Sequence, residues 1–231
     1  MRKTIQTFSE FVASVEAHCD GGSLHLFRGQ DVKVNLLPRI ARTDPATNTE
    51  STERSMIKEL RRMGAALLPE PAADDWELLV VAQHFAMATR LLDWTSNPLA
   101  ALWFACSSPE AGDRYVYSLA ADSLLISSKS QRVGSPFEQA KTRVFQPRLN
   151  NPRIVAQDGW FTVHRYSKQS NRFVALEKNP EIRPYLSEFT IPKSARDAIL
   201  RSLDRHGINV RTLFPDLEGL CRYVSWKLGP A

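Results

Sequence analysis

The segment WELLVVAQHFAMATRLLDWTSNPLAALWFAC, at residues 76–106, contains two apolar stretches on either side of a polar centre. Residues 76–85 and residues 98–106 are both apolar on nearly every side of a helix, and a helix without a polar face needs cover on all sides. We therefore predict that both helices lie in the core. Asn97 before Pro98 is a favourable start for the second one. Five side chains are expected to be almost inaccessible to solvent: Leu79, Val80, Leu99, Leu102 and Phe104.

The flanking sequence predicts mainly helices before this segment and mainly strands after it. Helices are predicted at residues 7–18 and 53–68, and a strand is predicted at residues 23–27, ending at Arg28 and Gly29. Residues 43–52 are predicted to form a polar loop, and residues 89–95 an extended connection. Short strands are predicted at residues 114–119, 153–157, 160–163, 172–175 and 188–191, and closing helices at residues 194–206 and 216–226. Because strands and helices do not alternate regularly, we expect one α+β domain over residues 1–231, with a helix-rich N-terminal half and a strand-rich C-terminal half.

The composition is that of an ordinary globular chain, with 43% of the 231 residues hydrophobic and a net charge of +5. This charge permits a nucleic acid as partner, but no recognition motif supports one. No apolar run reaches the roughly 20 residues that span a bilayer, and the N-terminal residues do not form a secretion signal. We therefore expect a cytoplasmic protein without a membrane partner. The three cysteines and five histidines are scattered, which favours neither disulfides nor a metal site.

Three polar segments are candidates for a functional site, and the first is FRGQ at residues 27–30. It places Arg28 at the end of an apolar strand, and Gly29 beside it lets the backbone approach a ligand closely. Two interpretations remain open. Either Arg28 holds a phosphate or carboxylate group of a ligand with its planar guanidinium, or it pairs with an acid inside the fold.

The second polar segment, at residues 83–97, lies between the two apolar helices. Arg90 and Asp93 emerge there from hydrophobic surroundings, so both need partners. Either they form an ion pair with each other, or they surround one concave site. The second interpretation includes the nearby polar side chains His84, Thr95 and Ser96.

The third polar segment is QDGWF at residues 157–161. Its Asp-Gly pair suits a tight hairpin turn, but a turn does not explain Gln157 on the strand before it. Arg28, Thr95 and Gln157 each stand at the end of a predicted strand or the start of a predicted helix, where side chains and backbone donors can face a ligand. We therefore predict that these three residues converge on one cleft, with His84 close enough to orient a neighbour.

Together the segments resemble the FRG domain, a family named for its Phe/Tyr-Arg-Gly motif. The matching sequence is FRGQ, the block AQHFAMATRLLDWTSNPLAALWFA at residues 82–105, PRIVAQDGWF, and LFPDLEGL near the end, so the resemblance extends over nearly the whole chain. The long block is the specific part of this match. One departure is Ala86-Met87-Ala88, where the family would have a sequence such as Tyr-Gly-x-Pro, so the resemblance does not imply the shape of that loop.

The order of these elements is also similar to that of the Arg-Ser-Glu ADP-ribosyltransferases, which implies an ADP-ribosyltransferase-like fold. In those enzymes the arginine helps to hold NAD, and a Ser/Thr element lines the nicotinamide pocket. The glutamate contacts the ribose and supports the positive charge that develops as nicotinamide leaves. Carried over to this chain, Arg28 is the first element, Thr95 with Ser96 is the second, and Gln157 is the third.

Gln157 departs from that pattern, because an amide can bond a ribose hydroxyl but supplies no negative charge. Three explanations remain open. Another carboxylate supplies the charge (Asp93 or Asp158, with Glu218 as a further candidate), or the enzyme is slow or has a different specificity, or the fold only binds a nucleotide. We take Arg28, Asp93 and Gln157 as candidate catalytic residues. The candidates for holding the cofactor NAD are Arg28, Gly29, Gln30, His84, Arg90, Thr95 and Ser96.

These resemblances imply an ADP-ribosyltransferase-like domain that binds NAD or a related nucleotide. Its activity would be that of an ADP-ribosyltransferase or an NAD glycohydrolase. The target would be a protein or a nucleic acid, and the protein would act as a toxin or effector in bacterial conflict or phage defence. The alternative is a non-catalytic nucleotide-binding or sensing module that uses the same cleft. A nucleic-acid-processing protein is a third hypothesis, which only the net charge supports.

Overall fold

A mixed sheet of seven strands lies at the centre of the structure, a computed structural model that describes residues 1–19, 21–68, 74–109, 111–126, 134–148 and 151–229. The sheet strands are β1 (Arg2–Thr4), β2 (His25–Gln30), β3 (Leu91–Thr95), β4 (Arg114–Ala120), β5 (Arg143–Phe145), β6 (Gly159–Val163) and β9 (Leu186–Ile191). Strands β7 (Tyr166–Ser167) and β8 (Arg172–Phe173) form a separate pair. Across the large sheet the order is β1-β9-β4-β2-β3-β6-β5, and all neighbours are antiparallel except the parallel pair β1 and β9.

Helices pack around this sheet, which confirms the predicted α+β class. They are α1 (Phe8–His18), α2 (Glu50–Met63), α3 (Asp75–His84), α4 (Pro98–Cys106), α5 (Pro152–Ala156), α6 (Arg196–Arg205), α7 (Val210–Leu213) and α8 (Leu217–Leu228). Asp74 caps α3 by accepting from the amide of Glu77, and Asn97 caps α4 by accepting from two amides of its first turn. The start of α4 at Asn97 and Pro98 agrees with the sequence prediction. Among the described residues, no helix is long and apolar enough to cross a membrane.

The two apolar helices cover one face of the sheet side by side. Phe27 lies opposite Thr95, and Asp93 lies opposite Phe161, so these four side chains share a face. Phe27 packs in a core cluster with α4, and Phe161 packs in a second cluster with α3. Asp93 therefore lies between two hydrophobic clusters. The predicted burial is confirmed for Leu79, Val80 and Leu102, whereas Leu99 and Phe104 are only partly buried.

Helix α4 approaches strand β2 so closely that Gly29 cannot carry a side chain. A Cβ atom built on Gly29 would lie 2.0 Å from the carbonyl oxygen of Ala101 and 2.5 Å from the amide nitrogen of Ala105. The small residues on the facing side of α4 allow the backbones to meet in this way. Gly29 therefore sets the position of α4 over the strand that carries Arg28.

Several predicted boundaries are wrong, and the largest error is at residues 153–157. This segment is the helix α5, because Asn151 accepts from the amide of Arg153 and Pro152 occupies the first helical position. The same Asn-Pro start correctly predicted α4, but here the β-branched residues favoured a strand. Strand β2 also runs through Arg28 and Gly29 to Gln30, since the ladder with β4 continues to that point. Helix α2 begins and ends earlier than predicted, and β8 is shorter.

Candidate functional site

The sheet splits between strands β2 and β3, and this split creates the candidate site. The two strands pair only where Phe27 faces Thr95, whereas β3 pairs with β6 along its whole length. Continued pairing would have placed Gly29 opposite Asp93. Instead, Nη1 of Arg28 donates to the carbonyl oxygen of Asp93 at 2.8 Å. Arg28 thus satisfies a backbone acceptor that the interrupted ladder leaves available.

A cleft of about 410 Å³ opens at this split. Its volume is in the range of small-molecule sites, which is roughly 300–1,000 Å³. Six of the residues selected from the sequence line it: Arg28, Gly29, His84, Asp93, Thr95 and Gln157. The predicted convergence of Arg28, Thr95 and Gln157 is therefore confirmed, although the roles assigned to these residues stay predictions. Gln30, Arg90 and Ser96 do not line this cleft.

Asp93 carries the best-placed carboxylate of the cleft, and a short chain of hydrogen bonds orients it. The hydroxyl of Thr89 donates to Oε1 of Gln83 at 2.7 Å, and Nε2 of Gln83 donates to Oδ2 of Asp93 at 2.9 Å. The same carboxylate oxygen lies 3.8 Å from Nη1 of Arg28. With 54% of its side chain exposed, Asp93 presents an oriented negative charge to the cleft.

The electrostatics of Arg28 reflect its position inside the split. Burial lowers the pKa of its guanidinium, the Asp93 carboxylate opposes that effect, and the like charge of Arg42 adds to it. Only 16% of the Arg28 side chain is exposed. Its Nε atom is buried, and no hydrogen-bond partner for it exists among the described residues. A buried donor without a partner is costly, and an anionic ligand would satisfy it.

His84 borders the cleft as a neutral side chain with a defined tautomer. Oδ1 of Asn151 accepts from the amide of Arg153, so its amide nitrogen is the atom that faces Nε2 of His84, at 3.1 Å. Nε2 therefore accepts, and the ring proton lies on Nδ1. Burial lowers the pKa of His84, the positive charge of Arg153 lowers it further, and Asp93 acts in the opposite direction.

The backbone donors around Thr95 and Ser96 at the start of α4 are already bonded, contrary to our expectation. The Oγ1 atom of Thr95 accepts from the amide of Asn97 at 2.9 Å, and the amides of Leu99 and Ala100 donate to the Asn97 side chain. The amide of Ser96 donates to the carbonyl oxygen of Asp158. Thr95 therefore lines the cleft as part of a closed turn, because the backbone donors nearby are already used.

Gln157 enters the cleft from the end of helix α5 and not from a strand. Its Nε2 donates to the carbonyl oxygen of Leu213 at 3.0 Å, which leaves Oε1 as the polar atom available to a ligand. Asp158 follows with a positive φ of 45° and is exposed outside the cleft lining. The Asp-Gly pair thus connects a helix to β6, and the predicted hairpin turn is wrong.

Arg90 follows neither of the two interpretations left open by the sequence, because it pairs with Glu53 in the interior and does not line the cleft. Its Nε and Nη2 donate to Oε2 of Glu53 at 2.9 and 2.8 Å, and its amide donates to Oε1 at 2.7 Å. The guanidinium also lies 4.5 Å from the centre of the Phe137 ring. Only 2% of the Arg90 side chain and 1% of the Glu53 side chain are exposed. This ion pair holds α2 against the end of β3.

Arg153, Phe104 and Phe214 also line the cleft, and our sequence interpretation missed them. Arg153 forms ion pairs with Asp216 at 2.7 Å and with Glu218 at 3.3 Å, and Glu218 itself does not line the cleft. The rings of Phe104 and Phe214 meet edge to face with centres 6.0 Å apart. Phe104 was predicted only as a core residue, and Phe214 comes from a segment whose position depends on tertiary packing.

The fold and the cleft thus define an α+β protein with a polar site at a split in its sheet. Residues 23–114 match the family model of the FRG domain. Arg28, Asp93 and Thr95 lie inside the matched segment, whereas Gln157 lies beyond it. No curated protein and no solved structure gives a significant match. Among the described residues, no group of three or more His, Cys, Asp or Glu side chains could hold a metal ion.

Proposed function

We propose that this cleft binds NAD or a related nucleotide and that the protein is an ADP-ribosyltransferase-like domain. The observation that carries the proposal is the convergence of Arg28, Thr95 and Gln157, which are far apart in the sequence, on one cleft. The strands that bear or follow these residues are also neighbours in the sheet, in the order β2-β3-β6.

The lining of the cleft suits the parts of such a ligand. The buried guanidinium of Arg28 provides a donor for a phosphate, and Oε1 of Gln157 provides an acceptor for a ribose hydroxyl. Phe104 and Phe214 provide aromatic surface for a planar base. These three chemical features match a nucleotide better than a purely apolar or purely anionic ligand.

Asp93 is the carboxylate that would assist cleavage of the glycosidic bond. Of the three acids considered, Asp93 lines the cleft, Asp158 does not, and Glu218 is paired with Arg153. A carboxylate next to the ribose stabilises the positive charge that develops as nicotinamide leaves. Transfer of the ADP-ribose to a protein or nucleic-acid target would be the function of a toxin or effector in bacterial conflict or phage defence, and transfer to water would be NAD glycohydrolysis.

A non-catalytic nucleotide-binding module is the second candidate, and one observation favours it. Gln157 stands where the resemblance to the transferases would place a glutamate, and its amide nitrogen is bonded to the backbone of Leu213. In this case the cleft would bind NAD or a related nucleotide without releasing nicotinamide.

The two candidates are separated by measuring NAD binding with calorimetry and nicotinamide release with chromatography. R28K should weaken NAD binding by about tenfold or more, because lysine lacks the planar fork of arginine. R183K, at an exposed arginine outside the cleft, is the matched control and should bind as the wild type does. Binding with nicotinamide release supports the transferase-like enzyme, and binding without release supports the module. Absence of binding to NAD and to ADP-ribose would contradict both.

A further inference from the structure

A second depression adjoins the cleft on the other side of Arg28. It has a volume of about 610 Å³, and Arg28, Gly29 and Asp31 line both cavities. We call this second depression the β2 groove. Its lining also includes Gln30, which shares a face of the strand with Arg28 because side chains two positions apart point to the same side. The cleft and the β2 groove therefore meet at Arg28, which forms part of the wall of each.

Two buried polar atoms at the β2 groove have no partner within the part of the chain that the structure describes. These atoms are Oε1 of Gln30 and Nε of Arg28. Gln30 is only 6% exposed, so water access to its amide is restricted. Buried acceptors and donors are normally paired, and an unpaired one at a cavity wall calls for an explanation. A ligand that donates to Gln30 and accepts from Arg28 would supply both missing bonds.

The charge of the β2 groove is predominantly positive. Three cations, Arg28, Lys33 and Arg42, line it together with one carboxylate, that of Asp31. Lys33 is partly neutralised, because its Nζ lies 2.7 Å from Oε1 of Glu188. Arg42 donates from Nε to the carbonyl oxygen of Leu37 at 3.2 Å and is otherwise exposed. Like charges on Arg28 and Arg42 around one cavity favour an anion between them.

We propose that the β2 groove binds a phosphorylated sugar. Arg28 and Arg42 hold the phosphate, and Oε1 of Gln30 accepts from a sugar hydroxyl next to it. This inference deepens the proposed function, since it assigns a second sugar, with its phosphate, to the β2 groove and leaves the ribose beside Asp93 and Gln157, together with its base, in the cleft. It requires a ligand that reaches around Arg28, so a free base or an unphosphorylated nucleoside would use only the cleft.

The phosphate contact is tested with ribose 5-phosphate and the intact protein by calorimetry. R42Q should weaken ribose 5-phosphate binding by about tenfold, the usual scale for loss of a charge-assisted contact. R39Q is the matched control, because Arg39 is an exposed arginine three positions earlier that does not line the groove. Equal affinities of R42Q and R39Q, or absence of ribose 5-phosphate binding to the wild-type protein, would overturn the proposal.

The hydroxyl contact is tested by comparing ribose 5-phosphate with inorganic phosphate. The wild-type protein should prefer ribose 5-phosphate, and Q30L should remove this preference while inorganic phosphate binding remains. Equal affinities for the two probes on the wild-type protein overturn the sugar contact, even if Q30L does not fold. Ribose 5-phosphate binding that depends on Arg42, without binding of NAD, would support the groove and contradict the proposed function. NAD binding that R42Q does not weaken would support the proposed function and contradict the β2 groove as the phosphate site.

Discussion

Arg28 is bound to the main chain of Asp93 and not primarily to its carboxylate: Nη1 of Arg28 lies 2.8 Å from the carbonyl oxygen and 3.8 Å from Oδ2. The backbone therefore holds the guanidinium across the split, and the carboxylate stays available to the cleft. A substitution that removes only the charge of Asp93 should leave Arg28 in place.

This relationship makes D93N a selective test of the negative charge. If the protein cleaves NAD, we expect nicotinamide release to fall by about 100-fold in D93N, the scale of losing one electrostatic contact to a transition state. D158N and E218Q should retain most of the activity, since neither carboxylate lines the cleft. A larger loss in either control than in D93N would mean that the wrong carboxylate has been chosen.

The buried ion pair of Glu53 and Arg90 should be essential for stability. E53Q leaves a buried guanidinium without its counter-charge, so we expect a loss of about 3–5 kcal/mol in the free energy of unfolding. The double variant E53L/R90M should lose less unfolding free energy than E53L and R90M lose when their separate losses are added, because it removes both charges together. These values are measured by urea unfolding.

A control for this prediction lies on the same helix. Glu59 forms an exposed ion pair with Arg62 at 2.6 Å, with 51% of the Glu59 side chain accessible. E59Q should change the free energy of unfolding by less than about 1 kcal/mol, because solvent screens exposed pairs. Similar losses in E53Q and E59Q would contradict the role assigned to burial.

His164 should make the stability depend on pH. Burial, together with the positive charges of Arg28 and Arg90, lowers the pKa of His164 from 6.5 to about 3. Between these values the unfolded chain binds a proton that the folded protein does not, so the free energy of unfolding should rise with pH. It should fall by about 1.4 kcal/mol for each pH unit below the ordinary pKa of histidine.

Urea unfolding between pH 5 and pH 7 measures this dependence, and H164N should make it flatter. H206N replaces an exposed histidine and serves as the control. An equally steep pH dependence in H164N and in the wild-type protein would show that another group is responsible.

Gly29 should tolerate no side chain. In G29A the new methyl group would collide with the backbone of α4, at Ala101 and Ala105, so the helix would have to move away from β2. We expect a loss of about 2–4 kcal/mol in stability, comparable with severe overpacking, together with weaker ligand binding at Arg28. G22A, where nothing lies within 4 Å of the added carbon, should unfold at nearly the temperature of the wild-type protein. Thermal unfolding of both variants checks this.

Local sequence patterns predicted the central helices and much of the cleft. The Asn97-Pro98 start and the absence of a polar face were enough for α4. Arg28 and Thr95 were recognisable because polar residues interrupted apolar segments. Gln157 was selected for the wrong local reason, since it follows a helix and not a strand.

What the sequence could not provide is the identity of partners that only folding brings together. Arg90 is paired with Glu53, which is 37 positions away on helix α2, whereas the local pattern offered Asp93 as a partner. Phe214 similarly reaches the cleft through the packing of α7 and α8. Ala86 has a positive φ of 63°, so a non-glycine residue holds the left-handed conformation in this loop, which a local pattern does not predict.

The hydrogen bond from Gln157 to Leu213 has a consequence for protein synthesis. Strand β2 and helix α4 emerge from the ribosome before the wall that contains Gln157 and Phe214, and this wall is complete only when Phe214 has been made. A nascent chain therefore carries Arg28 and Asp93 long before it carries a closed cleft. Any activity of this site would begin only after Phe214 has been made, so chains that end before this residue would lack a closed cleft.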